Sequence, residues 1–574
     1  MSELTKLRDF FSRILDYKTQ ILIRVAIIGV VIGCVAVAFR LCTEKVVELL
    51  AHVSNSGEHW YPWVFVPLFC ATGGLLAGLV TNKVTPDAKG SGIPQVKHVL
   101  NSSGANIRLR TIFAKFIGGV AAIASGLSLG REGPTIQISA GIASKLSPIL
   151  GGKHRKRAIA SGAGAGLAAA FNTPIAGVMF VIEELDRNFS SLSLGPAIVA
   201  SVAAAFTCRM LYGDFFTFHF HCDCPITAIT LIAILVLGVV SAIFGTYFQR
   251  SVLFSINFYK KYLASVPAWS WGAIAGLITG IVGIWVPQAL GGGHTTLEGV
   301  LAGAYAWSLI PLIFLAKYLL TVIAYGSGVP GGIFAPALIL GALLGSGLGH
   351  LLDLMMPSLN IDPASFAFIG MGAFFTAISR APITSIVMLF ELTGNYQLVL
   401  PLMFGCIIAN ISAERLKEGS IYANLLENDG INIREFTTPS YLQRFSIQDA
   451  MTRKLDTIEE TMTIRELHEL FDHSDHTGFP VLDATGKLVG MVTHHDIHEA
   501  FDVQLDQDSP VAEIMSTELR LLSMHDNLHA AILKLYEYKI GRLLIVDEHQ
   551  GNKLVGIITR SDIINFEANQ ELDY

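Results

Sequence analysis

The sequence predicts a mostly α-helical, multi-pass membrane domain followed by a small α/β module, on three observations. Charged residues fill only 15% of the 574 positions, where a soluble chain carries roughly a quarter. Apolar runs such as "ILIRVAIIGVVIGCVAVAF" (21–39) and "ITLIAILVLGVVSAIFGTYF" (229–248) recur from about residue 20 to 412 and match the ~20 residues a bilayer demands of a crossing helix. Beyond that region the composition becomes that of ordinary soluble protein. The net charge of −6 singles out no macromolecular partner, and nucleic acid is not expected among them.

Residues 1–20, "MSELTKLRDFFSRILDYKTQ", are amphipathic and charged. No small-residue cleavage site follows a short apolar core, so the stretch reads as a retained interfacial helix, its basic residues favouring a cytoplasmic N-terminus. The membrane domain spans 21–425, in halves of about 21–213 and 226–425, and a linker occupies 426–444. Several apolar segments are short and broken by Gly and Pro; in membrane proteins such backbone is tolerated where it lines a site. The seven cysteines, at 34, 42, 70, 208, 222, 224 and 406, lie mostly in apolar runs and read as small core residues. "HFHCDC" (219–224) resembles a soft-metal cluster, but five possible ligands are squeezed into six positions, and no metal is expected.

The membrane domain repeats itself. "KFIGG" at Lys115 returns as "KYLLT" at Lys317, and "GREGP" at Gly130 as "GIFAP" at Gly332, both 202 residues on. "GSGIPQVKHVL" (90–100) aligns with "GGGHTTLEGVL" (291–301) at an offset of 201. "NTPIAGVMFVIEEL" (172–185) aligns with "RAPITSIVMLFEL" (380–392), pairing Pro174 with Pro382 and Glu183 with Glu391 at 208. Four ordered matches point to two diverged copies of one half, parallel or inverted, with the substrate site expected between them.

"GSGIP", "GREGP" and "GSGVPGGIFAP" each stand where an apolar helix is predicted to start. Proline suits the first helical turn, and the glycines permit a sharp turn and close approach to a ligand. Helix N-termini carry unsatisfied N–H groups and partial positive charge, so several converging on one point make an anion site. Dipoles bind an ion moderately, as conduction requires; a lysine at contact in low dielectric would hold it too tightly. The alternative is that these are helix caps and packing glycines only.

These three motifs in this order, followed by a tyrosine near the end of the membrane part, resemble the CLC chloride channel and transporter family over roughly residues 20–425. The resemblance implies an inverted-repeat fold of eighteen mostly tilted helices, assembled as a homodimer with one pore per subunit. It also implies that Ser91 and Tyr422 of "GSIYANLL" offer hydroxyls to a dehydrated chloride, with backbone amides around Gly130, Arg131, Gly133, Ile333 and Phe334 completing the site. Glu132 then sits among anion-favouring amides: ionised it takes the place of a chloride, protonated it swings aside, making it both gate and external proton acceptor. Intramembrane carboxylates are functional candidates by default. Arg131 reads as pairing with a buried acid or a helix C-terminus. Lys115 has two readings: it raises the pore's potential without touching the ion, or it is a snorkelling or locally paired lysine.

In the same family a glutamate at the second position of "EE" marks the proton-coupled exchangers, as internal proton relay. Glu184 of "FVIEELDRNF" fills it, while Glu183 reads as structural. The function expected is chloride/proton antiport, with Ser91 favouring chloride where a proline would suggest nitrate. The runner-up is a gated passive chloride channel of the same fold; a cation transporter regulated by the C-terminal module is a third reading, for which the membrane half holds too few acids. No nucleophile–base pair suggests an enzyme. The protein is expected in a bacterial inner membrane, with N-terminus and C-terminal module cytoplasmic.

The tail carries its own repeat. "DAMTRKLDTI" (449–458) parallels "EIMSTELRLL" (513–522), and "GFPVLDATGKLVGMVTHHDI" (478–497) parallels "GRLLIVDEHQGNKLVGIITRSDI" (541–563). Each copy reads helix, strand, turn, strand, then Thr-x-x-Asp opening a helix. The pair resembles tandem CBS domains, here 445–503 and 504–574. The resemblance implies that Thr493, Asp496, Thr559 and Asp562 hold the ribose and phosphates of ATP, ADP or AMP. The same spacing is also close to a capping box. No cofactor is otherwise required, chloride being the transported ligand.

Overall fold

Glycine-rich turns followed by proline open helix after helix in the computed structural model. It describes residues 17–55, 61–102, 106–149, 155–186, 191–213, 227–357, 361–416, 419–431, 442, 445–474, 476–502, 505–538, 540–547 and 553–572. The chain divides into two compact units, Met1–Ile433 and Arg434–Tyr574. Most of the N-terminal stretch 1–20, the tract 219–224 and most of the linker lie outside the described residues.

The first unit holds seventeen α-helices among the described residues: α1 Tyr17–Asn55, α2 Tyr61–Lys83, α3 Ile93–Asn101, α4 Leu109–Ala124, α5 Glu132–Ile149, α6 Arg155–Phe171, α7 Pro174–Phe180, α8 Ser191–Tyr212, α9 Ala228–Tyr262, α10 Trp271–Trp285, α11 His294–Leu301, α12 Ile310–Gly326, α13 Phe334–Met355, α14 Pro363–Ser379, α15 Pro382–Thr393, α16 Val399–Arg415 and α17 Ile421–Asn428. Among the described residues, eight helical spans, on α1, α2, α8, α9, α10, α12, α13 and α16, are long and apolar enough to cross a membrane. The protein is a multi-pass membrane protein. Short α3, α11 and α17 and the interior helices α5 and α6 pack within this shell. α6, "RKRAIASGAGAGLAAAF", is buried along almost its whole length, because its small residues let neighbouring backbones approach closely. At Gly345 on α13 a Cβ would stand 1.9 Å from the Phe366 carbonyl oxygen of α14, so glycine is what allows this pair of helices to touch.

The repeat seen in the sequence reappears as reciprocal contacts. Glu183 accepts from the backbone N–H groups of Ile383 (2.9 Å) and Thr384 (2.7 Å) at the start of α15. Glu391 on α15 accepts from Ile175 (3.0 Å) and Ala176 (2.8 Å) at the start of α7. Each glutamate thus caps the helix that carries the other half's partner, satisfying N–H groups a helix start leaves over. Lys115 and Lys317, both fully buried, do matching work: Lys115 donates to the carbonyls of Ala88 (3.0 Å) and Gly90 (2.7 Å), Lys317 to those of Ala289 (3.2 Å) and Gly291 (2.6 Å). Contacts in which i meets j and j meets i are the mark of a two-fold relation.

Among its described residues the second unit contains two three-stranded sheets. In the first, β1 (Ile458–Glu459) runs parallel to β2 (Gly478–Leu482), which pairs antiparallel with β3 (Leu488–Thr493). In the second, β4 (Leu521–Ser523), β5 (Arg542–Asp547) and β6 (Lys553–Thr559) repeat that order, bulge included. Helices α18 (Ile464–Asp472) and α19 (His494–Asp502) accompany the first sheet, α20 (Leu528–Glu537) and α21 (Arg560–Leu572) the second. Each copy has its own buried core, around Phe479, Val481 and Val492 in one and Leu543, Ile545 and Ile558 in the other.

Candidate anion and proton site

Three of the glycine turns are stitched into one frame. Gly130 and Gly332 exchange both backbone hydrogen bonds at 2.7 Å, joining the starts of α5 and α13. Gly331 donates to the Gly90 carbonyl at 3.0 Å, tying in the turn before α3. Gly92, which precedes α3, has a φ of +95°, a conformation that suits glycine. Three helix N-termini therefore converge, with Lys115 holding one loop from behind by its carbonyls. That contact is the locally paired reading of the lysine; no hydrogen bond of its ammonium points to anything but backbone oxygen among the described residues.

At the junction lies Glu132, the first residue of α5, with no solvent exposure. Its carboxylate faces its own backbone N–H and that of Ala335 at the start of α13, within reach of the charges of Arg131 and Lys317. Neither oxygen completes a hydrogen bond. A Cβ on Gly130 would stand 2.3 Å from its Oε2, so the glycine supplies the room the carboxylate occupies. Arg131 turns away from this point and binds Glu44 on α1 at 3.0 Å. Glu44 also meets Arg40 at 2.7 Å and the Tyr212 hydroxyl at 2.6 Å.

Ser91 stands next to Glu132's helix. Its Oγ is buried without a hydrogen-bond partner, and a Cβ on Gly133 would lie 2.3 Å from it. A buried hydroxyl left unpaired costs free energy unless a ligand satisfies it. The Ser91 N–H donates to the Tyr325 hydroxyl at 3.3 Å, a positioning contact the sequence reading missed. Ile333 and Phe334 are buried at the start of α13. The rings of Phe334, Phe180 and Tyr422 form a cluster with centroids 6.1 and 6.3 Å apart. The Tyr422 ring is fully buried on α17, in electrostatic reach of both Glu132 and Glu184.

Glu184 belongs to a wider, π-helical turn, Val181–Leu185, that continues α7. Such turns recur at functional sites, and this one turns Glu183 to the far half and Glu184 inward. Glu184 is fully buried; its Oε1 receives the Lys97 ammonium and the Ser420 hydroxyl, each at 2.7 Å. Ser420 also accepts from the Tyr422 N–H at 3.3 Å, capping α17. The inner acid is thus tied to the helix that carries Tyr422. Lys97 was not foreseen; its only signal is a charge on the buried face of α3, its partner being 87 residues away.

In the second unit both Thr-x-x-Asp pairs bond within themselves, and the second closes a full capping box, the Asp562 N–H donating to the Thr559 hydroxyl at 3.2 Å. Thr493 donates through N–H (2.6 Å) and hydroxyl (2.8 Å) to Asp496, and Thr559 likewise (2.8 and 2.7 Å) to Asp562. Thr559 and Asp562 line a cleft of about 520 Å³ that also exposes Lys454, His476, Arg542 and Arg560. Arg542 is bonded to the Thr477 hydroxyl, and partial burial holds its guanidinium below the usual range. Thr493 and Asp496 do not line that cleft.

Residues 73–414 match the family model described as voltage gated chloride channel, and residues 447–502 and 511–569 each match that of the CBS domain. The H(+)/Cl(-) exchange transporter ClcA of Vibrio parahaemolyticus is 35% identical over 430 residues, covering 71% of this chain and 89% of that protein. A slow cyanobacterial Cl−/H+ antiporter of known crystal structure is 28% identical and aligns with a TM-score of 0.66 over 73% of this chain and 99% of its own. A eukaryotic CLC transporter, 20% identical, aligns with a TM-score of 0.67 over 95% of this chain and 98% of its own, a likeness of fold.

Proposed function

Because this chain belongs to the voltage gated chloride channel family, we propose that it exchanges chloride for protons across the membrane. The observation that carries this reading is the buried, unbonded Glu132 carboxylate seated where two helix N-termini meet. An ionised carboxylate is held there by the same partial charges that favour chloride. Once protonated it loses that attraction and rotates out, and a chloride takes its place. Beyond the gate, the Ser91 and Tyr422 hydroxyls and the amides about Gly130, Arg131, Gly133, Ile333 and Phe334 receive the dehydrated ion. Glu184 passes the proton on toward the other side. Lys115 supports the site by fixing the Gly90 carbonyl, so that the Ser91 loop keeps its shape.

We assign the N-terminus and the CBS pair to the cytoplasmic side of a bacterial inner membrane, and the assembly to a homodimer with one pore per subunit. For the CBS pair we assign adenine nucleotide to the cleft at Thr559 and Asp562. Its basic rim of Lys454, Arg542 and Arg560 suits phosphates, and the Asp562 oxygen not engaged in the cap is left for a ribose. Thr493 and Asp496 would hold the second nucleotide by the same pattern.

The test is joint measurement of chloride and proton flux in liposomes. Glu132→Gln and Glu184→Gln are each expected to abolish chloride-driven proton pumping while chloride still moves. A Glu184→Gln protein that pumps protons uphill on a chloride gradient would sink the relay assignment. A wild-type reversal potential that follows chloride alone, at every pH gradient, would sink the antiport reading in favour of a channel.

A further inference from the structure

We propose that His294 carries protons between the aqueous phase and Glu132; the inference rests on reading Glu132 as the proton-accepting gate. His294 opens α11, held there by Gly293 at a φ of +78°. It stands where the second half's copy of the "GSGIP" turn departs from the first, as "GGGHT". Its Nε2 lies 3.8 Å from Oε1 of Glu132. The two side chains differ in access: Glu132 is 0% exposed and His294 26%. Since Nε2 itself is buried, the exposed part of the side chain is elsewhere. Nε2 therefore meets the gate while other atoms of the same side chain reach solvent.

The charged groups that face His294 are Glu132 and Arg131 of the α5 start, Arg40 of α1 and Lys317 of α12. Each cation has its own acceptor: Arg131 and Arg40 bind Glu44, and Lys317 binds the Ala289 and Gly291 carbonyls. Glu132 is thus the acid left in contact with the imidazole. The position is also directional. Arg40 and Glu44 stand at the end of the first membrane span, Thr19–Lys45, remote from its N-terminal start. Glu184 is held instead by Lys97 and Ser420. His294 therefore neighbours the gate and the far end of that span, not the inner acid.

The step is a plain proton transfer. The Nε2–H bond of an imidazolium breaks, its electron pair staying on nitrogen, and an O–H bond forms on Oε1 of Glu132. The neutral ring keeps its other proton on Nδ1, so it turns about its Cβ–Cγ bond to bring the bare Nε2 to solvent, where a hydronium gives up its proton and is left as water, and then turns back; the reverse sequence releases a proton. At 3.8 Å the pair must close by about 1 Å or use one bridging water, and the gate's own rotation supplies such movement. Burial and the nearby Arg131, Arg40 and Lys317 charges hold this imidazole below its ordinary range, so the ring rests neutral and the imidazolium is a short-lived, strongly acidic carrier.

Full-length His294→Phe and His294→Gln proteins in liposomes test this, with exchange measured at equal pH on both sides from 4.5 to 8. Both variants are expected to keep the parent's proton-to-chloride ratio but to exchange at least about tenfold more slowly at pH 7, since a positioned acid–base group contributes roughly 10²–10⁴. The deficit should shrink toward pH 5, where hydronium protonates Glu132 directly, and added imidazole should restore the rate. Parent-like rates and pH profiles in both variants would overturn the inference. So would a slowdown of the same factor at every pH that imidazole does not relieve, which is what lost packing alone produces. Glu132→Gln, run alongside, separates the layers: if it stays proton-coupled, the gate reading itself fails, whereas uncoupling there with parent-like His294 variants removes only this inference.

Discussion

Gly133→Ala offers a direct test of whether Ser91 is part of a rigid anion site. The added Cβ would stand 2.3 Å from the Ser91 Oγ and 2.8 Å from the Ser91 carbonyl oxygen. Ordinary contact begins near 3.4 Å, so the hydroxyl must move by about 1 Å and the carbonyl by rather less. The hydroxyl can rotate. The carbonyl cannot easily follow, because its loop is held by Lys115 at Gly90, by the Gly331–Gly90 bond and by Tyr325 at the Ser91 N–H. A hydrogen bond to a charged partner is worth about 1.5–3 kcal/mol, so losing that hydroxyl should weaken chloride binding roughly 10- to 100-fold. Overpacking should cost a further ~1–3 kcal/mol of stability. Calorimetric titration of chloride into the purified protein reads the first effect and thermal unfolding the second. Ser91→Ala is the control, expected to lose the same affinity with less loss of stability. Undiminished chloride affinity in Gly133→Ala would refute the rigid-site argument. Undiminished affinity in both variants would remove Ser91 from the chloride site altogether.

Lys97→Met leaves the Glu184 carboxylate buried with only the Ser420 hydroxyl, and breaking a buried pair from one side costs about 3–5 kcal/mol. The double variant Lys97→Met/Glu184→Gln should therefore unfold at a higher temperature than the sum of the single losses predicts; additive losses would mean the pair is not coupled. Asp562→Ala is expected to abolish adenine nucleotide binding measured by titration, and retained binding would move the nucleotide away from this cleft. Glu466 is held below the ordinary carboxylate range by the backbone and hydroxyl of Thr463, and Asp483 by the Thr485 hydroxyl and the Lys487 N–H. Because these folded values are depressed, their contribution to stability is present above the unfolded pKa of about 4 and lost as pH falls through the folded values. Glu466→Gln should accordingly blunt the acid sensitivity of the CBS transition below about pH 4, followed by its circular dichroism; an unchanged acid profile would discount the cap.

Much of the site was legible because its parts are local patterns. A glycine turn followed by proline announces a helix start wherever it occurs, and the 202- and 208-residue offsets announced that Lys115 and Lys317, or Glu183 and Glu391, share a task. The nature of that task was not legible. A lysine in an apolar run reads equally as a pore charge or a snorkelling chain, and only the fold brings the Gly90 and Gly291 carbonyls to the two ammonium groups. Thr-x-x-Asp was ambiguous for the same reason: the cap is local and written in the spacing, whereas the cleft beside Asp562 collects residues from 452 to 562.

Composition and the apolar runs sufficed for the membrane class, and the motif order, through the resemblance it carries, for proposing Glu132 as the gate, since these patterns are written in short stretches of the chain. Lys97 against Glu184, Tyr325 beneath Ser91 and His294 beside Glu132 belong to the folded molecule alone. Their partners are 87, 234 and 162 residues away, and low-dielectric burial makes such pairings strong only once helices from both halves have excluded the water between them.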